Sequence, residues 1–587
     1  MTSSANISAA QMSILFNRIG GINRKMASTI LRTGRSGVLN RARDFSTCIL
    51  TADCKLLYSA DAIPIHTLSG PDLMAKSMLE FHPKLKAGDA FIHNSPYHGN
   101  SHAADHGFII PVIDDEGIHR FTIVTKAHQA DIGNAVPSTM VATAKDVYEE
   151  GALIFPCVQI QRDYQDIEDI IRMCRARIRV PNQWYGDLLA TIGAARIGET
   201  ELLQLGKEIG WDKLSAFVAQ WFDYSEKRMV DAIGKLKSGS TIMRSQHDAF
   251  PGTGPDGVTV TAKVTVDAEA AMIDIDFRDC PDALPSGLNL TEATSRTAGM
   301  IGVFNSIDGS VPKNFGSFRR IRVHLRENCV VGIPRHPTSC SLATTNLADR
   351  AGNCVQMAIA EISEGAGMAE VGYSLCPTTS TVSGIDPRDG KPYVNMVFLG
   401  HTSGAAGAYS DSWLIVLNVG CAGICNIDGV ELSELFHPLV VRERRLLPDT
   451  EGAGRFRGAP AIRVEYGPIG ADMTFIFASD GTDNPPRGVR GGGSSHGAGQ
   501  FVRNLQGEVT PIDKVSNITL KAGENMIGIA CGGGGYGNPV ERDVDLVLKD
   551  VAEGWISPER ARDVYKVAII DSVVDAKRTS ELRNVSH

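Results

Sequence analysis

No apolar run in this 587-residue chain reaches the ~18 residues that a membrane-spanning helix needs. The longest candidate, 414–425, is too short and carries Asn418 and Gly420. The first residues, MTSSANISAAQMSILFNRIGG, lack a basic segment followed by an unbroken apolar one, so no signal peptide is expected. Basic charge is in deficit: 58 Lys and Arg against 67 Asp and Glu, a net charge of −9. That balance argues against a nucleic-acid binder, whose phosphate contacts need a basic face. No zinc-type Cys-x-x-Cys pair is present; the nearest spacings are Cys48/Cys54 and Cys421/Cys425. The twelve scattered cysteines read as reduced, buried thiols of a cytoplasmic protein, with no role expected at a membrane. There is also no GxxxxGK[ST] loop, no GxGxxG between strand and helix, and no Ala-Met-Lys-Met biotin-attachment segment. If nucleotide is used, a partner chain is expected to supply it.

What the chain has in excess is glycine, 60 residues. These concentrate after residue 400, at 452–458, 488–493 and 532–537. The last run has neither the lysine nor the following helix of a phosphate loop, so it reads as tight turns and close backbone packing.

Apolar spacing divides the chain. Met12, Phe16, Ile19, Ile22, Met26 and Ile30 draw one helical stripe, which Gly20-Gly21 should weaken. A short strand pair follows, 45–50 and 55–58. The stretch 144–239 reads as mostly helical. Then Val258, Val260, Ala262, Val264 and Val266 alternate strictly, as do Ile273, Ile275 and Phe277, as half-buried strands should. Beyond them the chain is turn-rich, with a helix expected over 346–363. The tail reads as a strand from Val544, then a helix opened by Ser557-Pro558. The fold class is therefore α+β and multidomain. An N-terminal helix-and-hairpin part (1–143) and a helical region (144–240) precede a turn-rich antiparallel β half (241–540) and a tail (541–587).

The densest polar cluster runs from Asn94 to His106 and holds His98, His102, Asp105 and His106. A second one, Lys126 to Asn134, holds His128 and Asp131. Between them, the apolar segments 108–112 and 121–124 flank the turn signal Asp114-Asp115-Glu116-Gly117. A hairpin turning at Asp115–Glu116 pairs residues whose numbers sum to about 231. It places His128 opposite Ala103, inside the His102–Asp105 loop. One imidazole from each arm plus a carboxylate suits a divalent cation with open positions for water or substrate. His102, Asp105 and His128 are the expected ligands, for zinc or manganese, with iron a further fit. His98, His106 and Asp131 are expected as alternates or as partners orienting the ligands, and His98 or His106 as proton shuttle. A metal-free His–Asp acid–base pair, or loop histidines that only hydrogen-bond, are the competing readings. Arg32, Arg35, Arg41 and Arg43 form either an anion-facing group or a solvated helix end. His66 either faces the same cleft or is structural.

Several motifs resemble the hydantoinase B/oxoprolinase family along nearly the whole chain. They include Arg43-Asp44-Phe45-Ser46, Ile63-Pro64-Ile65-His66, Asn94-Ser95-Pro96-Tyr97-His98-Gly99 and His102-Ala103-Ala104-Asp105. Ala127-His128-Gln129-Ala130-Asp131, Gly454-Arg455-Phe456-Arg457-Gly458 and the glycine run ending at Pro539 continue the series. The resemblance implies a hetero-oligomer with a hydantoinase A-like subunit that binds ATP and Mg, and a small-molecule substrate. It implies metal ligation by the same three residues, with no biotin. Two activities follow from it. One is ATP-dependent carboxylation of a ketone enolate, of acetophenone or acetone carboxylase type; the other is ATP-dependent hydrolysis of a hydantoin, lactam or oxoproline. Asn94-Ser95-Pro96 replaces a frequent Asn-Asp-Pro, and Gly99-Asn100-Ser101-His102 replaces Gly-Gly-Thr-His. These departures lean the expectation toward the carboxylase. A scaffold role for the partner is the non-enzymatic alternative.

Overall fold

A computed structural model describes residues 7–59, 63–373, 375–400, 402–415, 418–420 and 425–584. Cys421, of the Cys421/Cys425 spacing, lies outside the described residues.

The chain opens with a 25-residue helix, Ala9–Thr33, capped by Ser8 and Gln11 in a reciprocal box. Its apolar stripe is buried, from Leu15 to Ile30. The helix runs unbroken through Gly20-Gly21. A Cβ at Gly20 would sit 2.7 Å from the Tyr58 hydroxyl, so the glycine lets the neighbouring strand close in.

That helix covers a seven-stranded antiparallel sheet. Its strands are β1 (Phe45–Thr51), β2 (Leu56–Ser59), β3 (Ala90–His93), β4 (Asp105–Ile113), β5 (His119–His128), β6 (Val158–Arg162) and β7 (Gln165–Asp166). Their spatial order is β2-β1-β5-β4-β3-β6-β7. β4 and β5 are central and buried along almost their whole length. Two long helices, Pro181–Ile209 and Trp211–Ile233, pack with the first helix on one face of this sheet.

A second sheet, ordered β11-β10-β9-β8, uses β8 (Gly239–His247), β9 (Val258–Asp267), β10 (Met272–Asp276) and β11 (Ile321–His324). β10 and β11 run parallel, the others antiparallel. The buried helix Leu347–Ile362 packs against it. A third sheet joins β12 (Thr379–Ile385) and β13 (Pro392–Phe398) to the strands Met473–Ala478 and Val515–Leu520. A five-stranded antiparallel sheet follows, within 439–530. The fold is α+β, as the alternating patterns require.

Two expectations need correction. Val544–Ala552 is a helix, not a strand: Asp543 caps it, and Val544, Val547 and Val551 recur at helical spacing. The β4–β5 register sums to 233, not 231. Asp114 N–H reaches Ile118 O across a longer turn, and the pairing shifts again between Val112 and Ile113. Asp105, not Ala103, therefore faces His128.

The late glycines pack backbone on backbone. A Cβ at Gly533 would lie 1.9 Å from Gly404 O, and one at Gly535 2.0 Å from Ala453 O. The eleven described cysteines are buried. Among the described residues, no helix is long and apolar enough to cross a membrane.

Candidate metal centre

Asp105 is the first residue of β4 and His128 the last of β5, so one ladder position brings a carboxylate and an imidazole face to face. Asp105 Oδ1 lies 3.1 Å from His128 Nδ1 and 3.1 Å from His102 Nε2. Its other oxygen lies 3.0 Å from His66 Nε2 and accepts a short hydrogen bond from the Ser101 hydroxyl. All four titratable side chains are buried. The loop that carries His102 is clamped by the Asn100 amide, which donates to the carbonyls of His102 and Asp105. His66 rides on the short helix Pro64–Thr67, whose entry is held where Ile63 N–H donates to Ser46 Oγ.

The far nitrogen of His102 sets its near one. His102 Nδ1 lies 3.0 Å from the Ser341 carbonyl. A carbonyl only accepts, so Nδ1 carries a proton, and in the neutral ring Nε2 would present its lone pair toward Asp105. His128 Nε2 meets Thr139 Oγ1 at 2.9 Å. A lone pair facing a carboxylate is unfavourable unless a cation or a second proton lies between them. One donor atom from each of His102, Asp105 and His128 falls within a 4.8 Å cluster. The residues thus fit a divalent cation in both donor type and orientation.

With no cation between them, the local charges favour an ionised Asp105 and a protonated His102. Burial opposes ionisation of Asp105, but the imidazoles of His102 and His66, with hydrogen bonds, hold it well below the usual carboxylate range. Burial works against a charged His102, and Asp105 more than offsets it, so its pKa is raised. Asp44, 4.0 Å from His66 Nε2, is pushed up by burial despite the nearby imidazoles. Lys126 is buried two residues before His128. Its Nζ sits 3.2 Å from Ser101 Oγ, and burial lowers it to about 8.

The other expected site residues are placed elsewhere. His106 follows Asp105 on β4 and so points to the opposite face. There its Nδ1 accepts from Trp184 Nε1 at 3.2 Å, its ring meets Phe155 edge-on, and burial lowers it to about 3. His98 sits in the turn after Pro96, with Nδ1 2.8 Å from Ser95 Oγ and its ring edge-on to Phe81. Asp131 accepts from Arg179, at its backbone N–H (2.6 Å) and Nη1 (2.9 Å), anchoring the loop after β5. The arginines do not converge: Arg41 meets Asp428 and His437, while Arg35 N–H donates to Asp187.

The donors line a small cavity of about 20 Å³, closed by Met140, Leu375, Met396 and Phe398. That is room for about one water. A larger groove of about 650 Å³ lies on the far side of the Pro64–Thr67 helix, between Tyr58, Trp221 and Phe304. No imidazole or carboxylate lines it, so size does not mark the chemistry.

Sequence reading did not single out Ser101, Lys126, Thr139 or Ser341. Only Lys126 carried a signal, since strand alternation places it on the face of His128.

A sequence model of the hydantoinase B/oxoprolinase family matches residues 8–539. The caprolactamase subunit beta of Pseudomonas jessenii is 29% identical over 556 residues, 93% of this chain and 94% of that one. The crystal structure of the ATP-dependent caprolactamase from that organism superposes with a TM-score of 0.88 at 24% identity, covering 99% of this chain and 100% of that one. A nucleotide-free acetone carboxylase structure superposes with a TM-score of 0.86 at 16% identity, over 98% and 82%. These two superpositions establish the fold.

Proposed function

The chain belongs to the hydantoinase B/oxoprolinase family, and from that premise we propose that it is the metal-bearing subunit of an ATP-dependent enzyme that opens a cyclic amide. The observation that carries the reaction class is the full-length similarity to a caprolactamase subunit beta. The name of that relative also supports a second chain, a hydantoinase A-like subunit to which we assign ATP and Mg.

His102 Nε2, Asp105 Oδ1 and His128 Nδ1 would hold a divalent zinc, manganese or iron. When bound, such an ion polarises a carbonyl oxygen and acidifies water. The remaining work falls to the chain itself. Ser341 O and Thr139 Oγ1 fix the two imidazoles in their ligating orientation. Met140, Leu375, Met396 and Phe398 exclude bulk water, which strengthens every charge interaction inside. In ring opening, the partner's ATP phosphorylates the amide oxygen, one water adds to the carbonyl carbon, the C–N bond breaks and nitrogen takes a proton, and a second water releases phosphate from the resulting acyl phosphate. We assign the proton handling to Asp44 and His66, which line the cavity, rather than to His98 or His106, which do not. Burial favours the protonated form of the Asp44 carboxyl.

The second reading is biotin-independent carboxylation of a ketone at the same donors. The Asn94-Ser95-Pro96 and Gly99-Asn100-Ser101-His102 departures support it. The test is to supply the assembled enzyme with ATP and either a lactam, a hydantoin, or a ketone with labelled bicarbonate. ADP release coupled to amino-acid formation is the expected result. Label fixed into a keto acid, with no ring opening, would install the second reading in its place.

A further inference from the structure

A cavity of about 130 Å³ lies against one face of the sheet that contains β12 and β13. Strand alternation aims every second residue at it. Met396, Thr381, Ile476 and Asn517 pair in one row across the four strands. Thr379, Ala478 and Val515 line the cavity beside that row. The facing wall is the segment 136–143 with Leu342. None of the lining residues is charged, and most are aliphatic, aromatic or Met.

This cavity adjoins the donor pocket. Met140, Leu375, Thr379 and Met396 line both spaces, so only side chains divide them. Two of the four are methionines, whose unbranched side chains re-pack readily. Leu375 holds a left-handed backbone (φ 61), a conformation a bulky residue adopts at a cost and one that the surrounding packing must enforce.

We propose that this cavity receives the hydrocarbon part of an uncharged carbonyl substrate, whose carbonyl oxygen passes the Met140–Met396 partition to reach the donors of His102, Asp105 and His128. This rests on the cyclic-amide reading and narrows it. An apolar cavity of roughly 150 Å³ holds benzene, so the volume suits a ring of about six or seven atoms. An uncompensated carboxylate is strongly disfavoured against such walls. The cavity therefore selects plain lactams and discriminates against acid-bearing rings such as 5-oxoproline. Thr381 Oγ1, whose hydroxyl meets Ser138 Oγ at 3.3 Å, offers a neutral acceptor for a ring N–H.

The test measures binding of valerolactam and of 5-oxoproline to the assembled enzyme by calorimetry, alongside metal content and ring opening. Valerolactam should bind at least about tenfold more tightly than 5-oxoproline. Ala478→Phe, which fills the cavity, should weaken valerolactam binding by about tenfold or more with metal content unchanged. Met396→Ala, which enlarges the space, should shift preference toward an eight-membered lactam. Equal affinity for the two probes, or undiminished valerolactam binding in Ala478→Phe, overturns the assignment. If Ala478→Phe does not fold, Ala142→Ile on the facing wall serves the same comparison. Selective valerolactam binding without ATP-driven ring opening would refute the proposed reaction and still support this cavity assignment.

Discussion

Asp105 and His128 stand directly opposite one another at the open end of the β4–β5 hairpin, with Oδ1 and Nδ1 3.1 Å apart. Their alignment depends on a register shift near the turn, and their orientation depends on neighbours outside the hairpin. Those neighbours supply the first prediction.

Thr139 fixes the far nitrogen of His128, and the Ser101 hydroxyl binds the second oxygen of Asp105. Thr139→Val and Ser101→Ala should each weaken metal affinity by about 10–100-fold. Competition against a chelating dye measures it. Asp105→Ala should purify with almost no bound metal, and saturating metal should restore ring opening to the first two variants but not to this one.

His93 and His106 contribute to acid lability. Burial, then the charges of His98 and Lys126, pushes His93 down to about 3. Burial takes His106 to about 3 as well, against the pull of Asp105. Both are neutral in the fold, whereas the unfolded chain protonates each near pH 6.5. Below about pH 6.5 the unfolded state therefore binds protons that the folded state refuses, and stability falls with pH until about pH 3. Each group contributes about 1.4 kcal/mol per pH unit across that window. Neither ring nitrogen of His93 has a hydrogen-bond partner of ordinary geometry. His93→Leu should therefore flatten the slope between about pH 4 and pH 6 by one proton. Urea-unfolding midpoints over that range report it.

Glycines should separate into two classes. A Cβ at Gly535 meets Ala453 O at 2.0 Å, which is backbone and cannot rotate away. Gly535→Ala should cost about 3 kcal/mol or more, seen as lost soluble yield or a lowered Tm. Gly193 lies inside the helix Pro181–Ile209, with nothing within 4 Å of a Cβ there. Gly193→Ala should stabilise by about 0.4–1 kcal/mol.

Much of this was legible in the residues, and the exceptions have physical causes. Long stripes, such as Met12 to Ile30, carry enough periods to define a helix even through Gly20-Gly21. The hairpin spacing brought the two polar clusters together, but a turn signal does not encode a register shift between Val112 and Ile113. The estimate therefore fell two residues short. The Val544 segment contained both its cap, Asp543, and its helical period; three valines in a short run suggested a strand instead. His106 entered the list of expected residues because it adjoins Asp105 in sequence. On a strand, adjacency means opposite faces. Ser341 was beyond reach, because nothing local ties a carbonyl to a histidine 239 positions earlier.

That last contact bears on how the protein is made. By the time residue 128 has been synthesised, the chain already holds His66, His102, Asp105 and His128, all drawn from the first seven-stranded sheet or its loops. The carbonyl that sets the tautomer of His102 belongs to Ser341, far later in synthesis. If these donors hold the proposed cation, its full affinity would be tied to arrival of the second half. A chain stopped before residue 341 would carry the four side chains, with Thr139 already against His128, and would lack only the carbonyl that orients His102.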